Sequence, residues 1–164
     1  MTGFGTKAWV ALWFLMLAAA PAHAVEVGEQ VPDFAIRTFD GNSLSRTMMA
    51  GRPMLLVFWN TWCPDCMREL PKINRIAVRF SPREVAMLAI NTGLNDSENK
   101  ARAYWTKHGY ALPAGFDHAF KIVQAFRVVG VPTIILVDFK GVVQYNNPQL
   151  PDDIEKRLRE LARH

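Results

Sequence analysis

Cys63 and Cys66 are the only cysteines in a chain of 164 residues, and two residues separate them. A pair at this spacing supports three chemistries: a dithiol that cycles with its disulfide, half of a metal site, or a plain structural disulfide. The surroundings favour the cycling dithiol. The apolar run Pro53-Met54-Leu55-Leu56-Val57-Phe58-Trp59 leads into Trp62-Cys63-Pro64-Asp65-Cys66, and a helical pattern follows. With Cys63 as N-cap, Pro64 falls at the first helical position, where its missing N–H and fixed φ cost nothing. Asp65 and Cys66 then lie in the first turn, whose unpaired N–H groups face the Cys63 sulfur. A thiolate there sits at the positive end of the helix dipole, which makes Cys63 the readily ionised, solvent-facing nucleophile. Cys66, one turn further in, is the buried resolving thiol. Asp65 works against the dipole, because its negative charge beside the sulfur disfavours the thiolate and tunes the pair toward the reducing side.

Composition narrows the setting. Half of the residues are apolar, and the formal net charge of +4 is neither large nor clustered, so nothing points to a nucleic-acid partner. Two cysteines cannot staple a fold of this size, which therefore stands on its core. Lys7 precedes an apolar run from Ala8 to Ala20, followed by Pro21 and Ala22-His23-Ala24. That order is a secretory signal peptide with cleavage after Ala24. The run is shorter than the ~20 residues a spanning helix needs; an uncleaved anchor is the other reading. Residues 1–24 are thus expected to be an export signal and residues 25–164 one domain. A bacterial periplasm, where disulfides persist, is the expected destination, and a monomer the expected state.

The elements that must position the dithiol follow from periodicity. Val31 to Ile36 and Ser43-Leu44-Ser45, around the turn Asp40-Gly41-Asn42, read as a small hairpin on the edge of the main sheet. Met54 to Trp59 lacks alternation, as expected of a central strand buried on both faces. Met67, Leu70, Ile73, Ile76, Ala77 and Phe80 mark the helix after Cys63, with Pro71 expected to kink it. Glu84 to Asn91 is a second buried strand, and Asn95-Asp96-Ser97 offers caps for a helix ending near His108 and Gly109. Leu112-Pro113-Ala114-Gly115 reads as a loop and Ala119 to Phe126 as a short helix. Gly130-Val131-Pro132-Thr133 leads into the strand Ile134 to Val137, then a hairpin through Asp138 to Gly141 and the strand Val142 to Tyr145. Ile154, Leu158 and Leu161 mark a closing amphipathic helix. The order describes an α/β fold: a mixed sheet with helices on both faces.

This pattern resembles the thioredoxin superfamily, and within it the TlpA/ResA-like (CcmG/DsbE-like) periplasmic thiol–disulfide oxidoreductases. The likeness runs from about Val27 to Leu161. It rests on V-G-E-Q-V-P-D-F, the F-W-x-T-W-C-P-x-C-x-x-E-x-P block from Phe58 to Pro71, and G-V-P-T from Gly130 to Thr133. It implies a thioredoxin-like fold with an N-terminal hairpin and a TlpA-type central insertion, roughly Ser97 to Phe116. It also implies that Pro132 is a cis proline facing the dithiol, so that Val131 presents its backbone to an extended substrate. Glu69 matches the active-site glutamate of the group, with proton transfer to or from Cys66 as its role. The buried aspartate of plain thioredoxins is absent, and Val57 stands in its place. Trp62 is expected to pack beside the sulfurs; Trp59 reads as core.

The leading reading is a disulfide reductase in which Cys63 attacks and Cys66 resolves. By resemblance, its substrates are protein disulfides such as the C-x-x-C-H motif of apocytochrome c, or the cysteines of oxidase assembly factors. Its electrons would come from a membrane thiol transporter of the DsbD/CcdA type. No cofactor is expected beyond the Cys63–Cys66 disulfide, and no metal. The reading from a different class is a copper-binding chaperone, but the Sco-type pattern has one more residue between its cysteines. A peroxidase of the peroxiredoxin type shares the P-D-F start, yet its threonine and proline sit differently from Asn60-Thr61-Trp62-Cys63.

Overall fold

A computed structural model describes residues 24–163. Of the expected signal peptide, residues 1–24, all but Ala24 lies outside that range. The chain forms a thioredoxin-like α/β fold around a five-stranded mixed sheet. Its strands are β3 (Met54–Trp59), β4 (Ala86–Asn91), β5 (Ala114–Phe116), β6 (Thr133–Val137) and β7 (Val143–Asn147). The order is β5-β4-β3-β6-β7, with β4 parallel to both β3 and β5, and β6 antiparallel to both β3 and β7.

β3 lies at the centre, and all six of its side chains are buried, which is why its sequence shows no polar alternation. Leu55, Val57 and Trp59 point to one face, where they pack with helices α2 (Pro64–Arg79), α3 (Glu98–His108) and α5 (Ile154–Leu161). Met54, Leu56 and Phe58 point to the other, where Met49 of α1 (Arg46–Met49), Ile122 of α4 (Lys121–Ala125) and the segment Val25 to Phe34 cover them. α2 carries the dithiol, and buries Leu70, Ile73 and Ile76 at helical spacing on the sheet. Each such side chain contributes roughly 1.5–3 kcal/mol of transfer free energy, so the start of α2 is held by the whole core. Pro71 lies inside α2, which nevertheless runs unbroken to Arg79.

The N-terminal hairpin pairs β1 (Ala35–Arg37) with β2 (Ser43–Ser45) and reaches the sheet edge through a Thr38–Gly115 bridge. A Cβ on Gly115 would lie 2.6 Å from the Arg37 carbonyl oxygen, so only glycine lets the hairpin cross β5 this closely. That crossing corrects one expectation: the stretch read as a loop at Leu112 to Gly115 runs into a strand, β5. Three residues with a glycine among them carry no periodic signal. α1 also has no counterpart in the sequence reading; Ser45 starts it by accepting from the Met48 N–H at 3.3 Å. The helix expected from Ala119 to Phe126 begins later, at Lys121, because Ala119 and Phe120 are left-handed.

Candidate active site

Cys63 is the N-cap of α2, with extended backbone, and Pro64 is the first helical residue. The Cys66 N–H donates to Cys63 Sγ at 3.1 Å, and the Cys63 N–H donates to the Asn60 carbonyl at 3.3 Å. The two sulfurs are joined in a disulfide with their Cα atoms 5.3 Å apart. In this oxidised state Cys63 is only 3% exposed and Cys66 is fully buried, so Cys63 does not face solvent as expected. Its sulfur is turned inward to Cys66, and the Val131 carbonyl oxygen lies 3.5 Å away. The Val131–Pro132 bond is cis. Val131 packs against both halves of the core, at the end of the sheet where the dithiol sits.

Other residues are placed less simply. Val57 is fully enclosed, and β3, Met54–Trp59, carries no carboxylate. Glu69 is buried; its carboxylate accepts from the Leu150 N–H at 3.1 Å and pairs with Lys72 at 2.7 Å. The first ties it to the loop before α5, the second to the next turn of α2 itself, and no hydrogen bond to either cysteine is among them. Asp65 is exposed and paired with Arg68. That cation reduces the field Asp65 adds at Cys63, so its effect on the thiolate is smaller than an unpaired carboxylate would give. Trp62 is half-exposed, and its indole N–H donates to the Leu94 carbonyl at 2.8 Å. Trp59 is fully buried against Trp105, with ring centroids 5.0 Å apart. Among the described residues, no group of three or more His, Cys, Asp or Glu side chains is gathered as a metal would require.

A polar clamp that the sequence reading missed holds the turn carrying Cys63. Asp96 Oδ2 accepts from the Thr61 N–H at 2.7 Å and from Asn91 Nδ2 at 2.8 Å, while Oδ1 accepts from the Thr61 hydroxyl at 2.8 Å and the Ser97 N–H at 2.9 Å. Asn60, fully buried, accepts from the Thr92 hydroxyl at 2.6 Å and donates to the Leu94 carbonyl at 3.3 Å. The helix cap itself is Ser97, which frees Asp96 for this role. A signal was present: two apolar runs each end in a polar pair, Asn60-Thr61 and Asn91-Thr92. Parallel pairing sets Trp59 opposite Asn91, so those polar ends meet.

Burial pushes the Asp96 carboxyl up, but donors from Asn91, Thr61 and Ser97 outweigh it and leave the pKa below its usual value. A depressed folded pKa stabilises the fold above the unfolded value and is lost as pH falls through the folded one. Asp96→Ala, which orphans buried donors, should lower stability near neutrality by roughly 2–3 kcal/mol. The deficit should shrink as pH drops below about 4. Urea denaturation of both proteins at pH 7 and at acid pH checks this; an unchanged deficit at both would contradict it.

With this geometry in view, known proteins place the chain. Residues 27–146 match the model of the AhpC/TSA family. The chain belongs to that family. It is 32% identical over 122 residues to the thioredoxin-like protein YneN of Bacillus subtilis, covering 73% of this chain and 70% of that protein. It is also 29% identical over 140 residues to the thiol-disulfide oxidoreductase ResA of Geobacillus kaustophilus, covering 84% and 79%. A crystal structure of a putative thiol:disulfide interchange protein DsbE from Chlorobium tepidum has the same fold, with a TM-score of 0.73 and 22% identity over 85% of this chain and 99% of that one. Family, dithiol and the relatives named ResA together make this AhpC/TSA member a thiol–disulfide oxidoreductase of the ResA kind.

Proposed function

We propose that this thiol–disulfide oxidoreductase acts after export, as a reductant of protein disulfides in a bacterial periplasm. The observation that best supports the exchange chemistry within this reading is the cap geometry: Cys63 Sγ receives the Cys66 N–H at 3.1 Å and has the Val131 carbonyl 3.5 Å away. In the reduced protein the Cys63 thiolate attacks one sulfur of a substrate disulfide, and the other substrate sulfur leaves as a thiolate. The Val131 backbone pairs with the extended substrate during this step. Cys66 then loses its proton, with Glu69 as acceptor, and attacks Cys63. The substrate departs with both cysteines reduced, and two electrons have passed from the protein's dithiol to the substrate.

The substrates are extended cysteine-bearing segments, with the C-x-x-C-H motif of apocytochrome c first among them and the cysteines of oxidase assembly factors second. A membrane thiol transporter of the DsbD/CcdA type would return the electrons. The direction of transfer turns on redox poise. Strong oxidants stabilise the thiolate, whereas here Asp65 occupies the residue before the second cysteine and contributes negative charge, tempered by Arg68. Equilibration with glutathione should give a potential on the reducing side of about −200 mV, with an oxidising shift in Asp65→His. A wild-type value near about −120 mV would contradict a reducing role.

A further inference from the structure

Asp96 is bound to the turn that carries Cys63, and it is charged without a counterion. The Cys63 N–H donates to the Asn60 carbonyl, so Asn60-Thr61-Trp62-Cys63 is a β-turn leading straight into α2. Asp96 accepts from the Thr61 N–H at 2.7 Å and from the Thr61 hydroxyl at 2.8 Å, inside that turn. Its other close donors, Asn91 Nδ2 and the Ser97 N–H, are also neutral. Among the described residues, no Lys, Arg or His forms an ion pair with it. The donors hold its pKa below the usual value, so the negative charge is present throughout the neutral range.

The other carboxylates around the dithiol are neutralised or turned elsewhere. Asp65 is exposed and paired with Arg68, and Glu69 is paired with Lys72. Asp117 is buried, but its carboxylate accepts from the Ile122 and Val123 N–H groups at the start of α4. β3 carries no charged residue, and neither does the segment Gly130-Val131-Pro132-Thr133 that faces the sulfur. Asp96 alone combines a free charge with hydrogen bonds to the Cys63 turn. Asn60, Asn91 and Thr92 beside it are buried, which keeps bulk water from screening that charge.

We propose that Asp96 sets the redox poise of the dithiol, as a positioning residue whose fixed negative charge disfavours the Cys63 thiolate and so favours the disulfide. The proposal rests on the disulfide-exchange reading above. In the disulfide neither sulfur is charged, so Asp96 acts on the reduced state alone. Repulsion there makes the dithiol a readier donor. Cys63 and Cys66 give up two electrons and two protons, and the substrate disulfide becomes two thiols. A charge ~8–10 Å from the sulfur, at an effective dielectric of about 40–80, moves an ionisation by ~0.3–0.8 pH unit. The positive end of α3 offsets part of this, and does so equally for any residue at the position.

Asp96→Asn removes the charge and keeps the shape. Its amide oxygen can accept from the Thr61 N–H and from Asn91, and its NH2 can donate to the Thr61 hydroxyl. Only the exposed Ser97 loses a partner. The reduced proteins are alkylated from about pH 5 to 9 and equilibrated with glutathione at about pH 8. In Asp96→Asn the midpoint of the Cys63 alkylation profile should fall by about half a pH unit. The glutathione equilibrium should move about threefold toward the dithiol, which is ~14 mV for a two-electron couple. Asp96→Ser, smaller and also uncharged, should move both readings the same way. Asp96→Glu disturbs the clamp but keeps the charge, so it should lose resistance to urea and leave the midpoint within about 0.2 unit of wild type. Asp65→Asn should shift less than Asp96→Asn, because Arg68 already offsets Asp65. Unchanged readings in both uncharged variants, a Glu variant that shifts as far as Asn, or a larger shift from Asp65→Asn overturns Asp96 as the determinant, with the exchange reading left standing. A wild-type dithiol that exchanges with neither glutathione nor cystamine overturns the disulfide-exchange reading, and this proposal with it.

Discussion

Cys63→Ser should lose disulfide exchange by ~10³-fold or more, because no second nucleophile of comparable character stands at the site. Cys66 cannot take over. It is fully buried in the first turn of α2, whereas Cys63 holds the cap and receives the Cys66 N–H. The same asymmetry should appear in alkylation of the reduced protein near neutral pH, with Cys63 modified at least about tenfold faster. Equal rates, or faster labelling of Cys66, would reverse the roles. The low exposure of Cys63 in the oxidised state does not weaken this expectation. Reduction breaks the Cys63–Cys66 bond and frees the Cys63 sulfur to react.

Glu69→Gln should slow the resolving step by roughly 10–100-fold while leaving the fold nearly intact, since general acid–base catalysis commonly supplies at least that much. The structure makes the substitution a clean one. A glutamine carbonyl can still accept from the Leu150 N–H, which preserves the tie between α2 and the loop before α5. What is lost is the ion pair with Lys72, whose side chain is half-exposed, a pair worth at most about 1 kcal/mol. Removing the proposed proton acceptor should therefore change the rate of resolution more than it changes stability. Stopped-flow measurement of mixed-disulfide decay from about pH 5 to 9 decides the matter. A variant that resolves at the wild-type rate across that range has no proton to relay, and Glu69 would then be a structural tie alone.

Much of the architecture was legible in the sequence because apolar periodicity reports burial directly. The unbroken run at Met54 to Trp59 read as a strand covered on both faces, and α2 followed from Leu70, Ile73 and Ile76. The start of α2 was legible for a different reason, since proline after a potential cap has few other uses. What escaped was set by tertiary contact. β5 exists because the hairpin crosses at Gly115 and β4 offers it an edge, neither of which is a local property. The left-handed residues before α4 depend on the Asp117 side chain reaching the Ile122 and Val123 N–H groups. Asp96 looked like one of three equivalent caps in Asn95-Asp96-Ser97. Only the pairing of β3 with β4 brings Thr61 and Asn91 within its reach.

The claim that Cys63 is the attacking sulfur of a disulfide-exchange site is tested most directly by trapping. Reduced Cys66→Ser protein, mixed with a peptide disulfide and analysed by mass spectrometry after acid quenching, should accumulate a one-to-one adduct whose only modified residue is Cys63. The reduced wild type, quenched alike, should show the intramolecular Cys63–Cys66 disulfide and released peptide thiol instead. A Cys66→Ser protein that forms no adduct, while Cys63→Ser forms one at Cys66, would contradict the account.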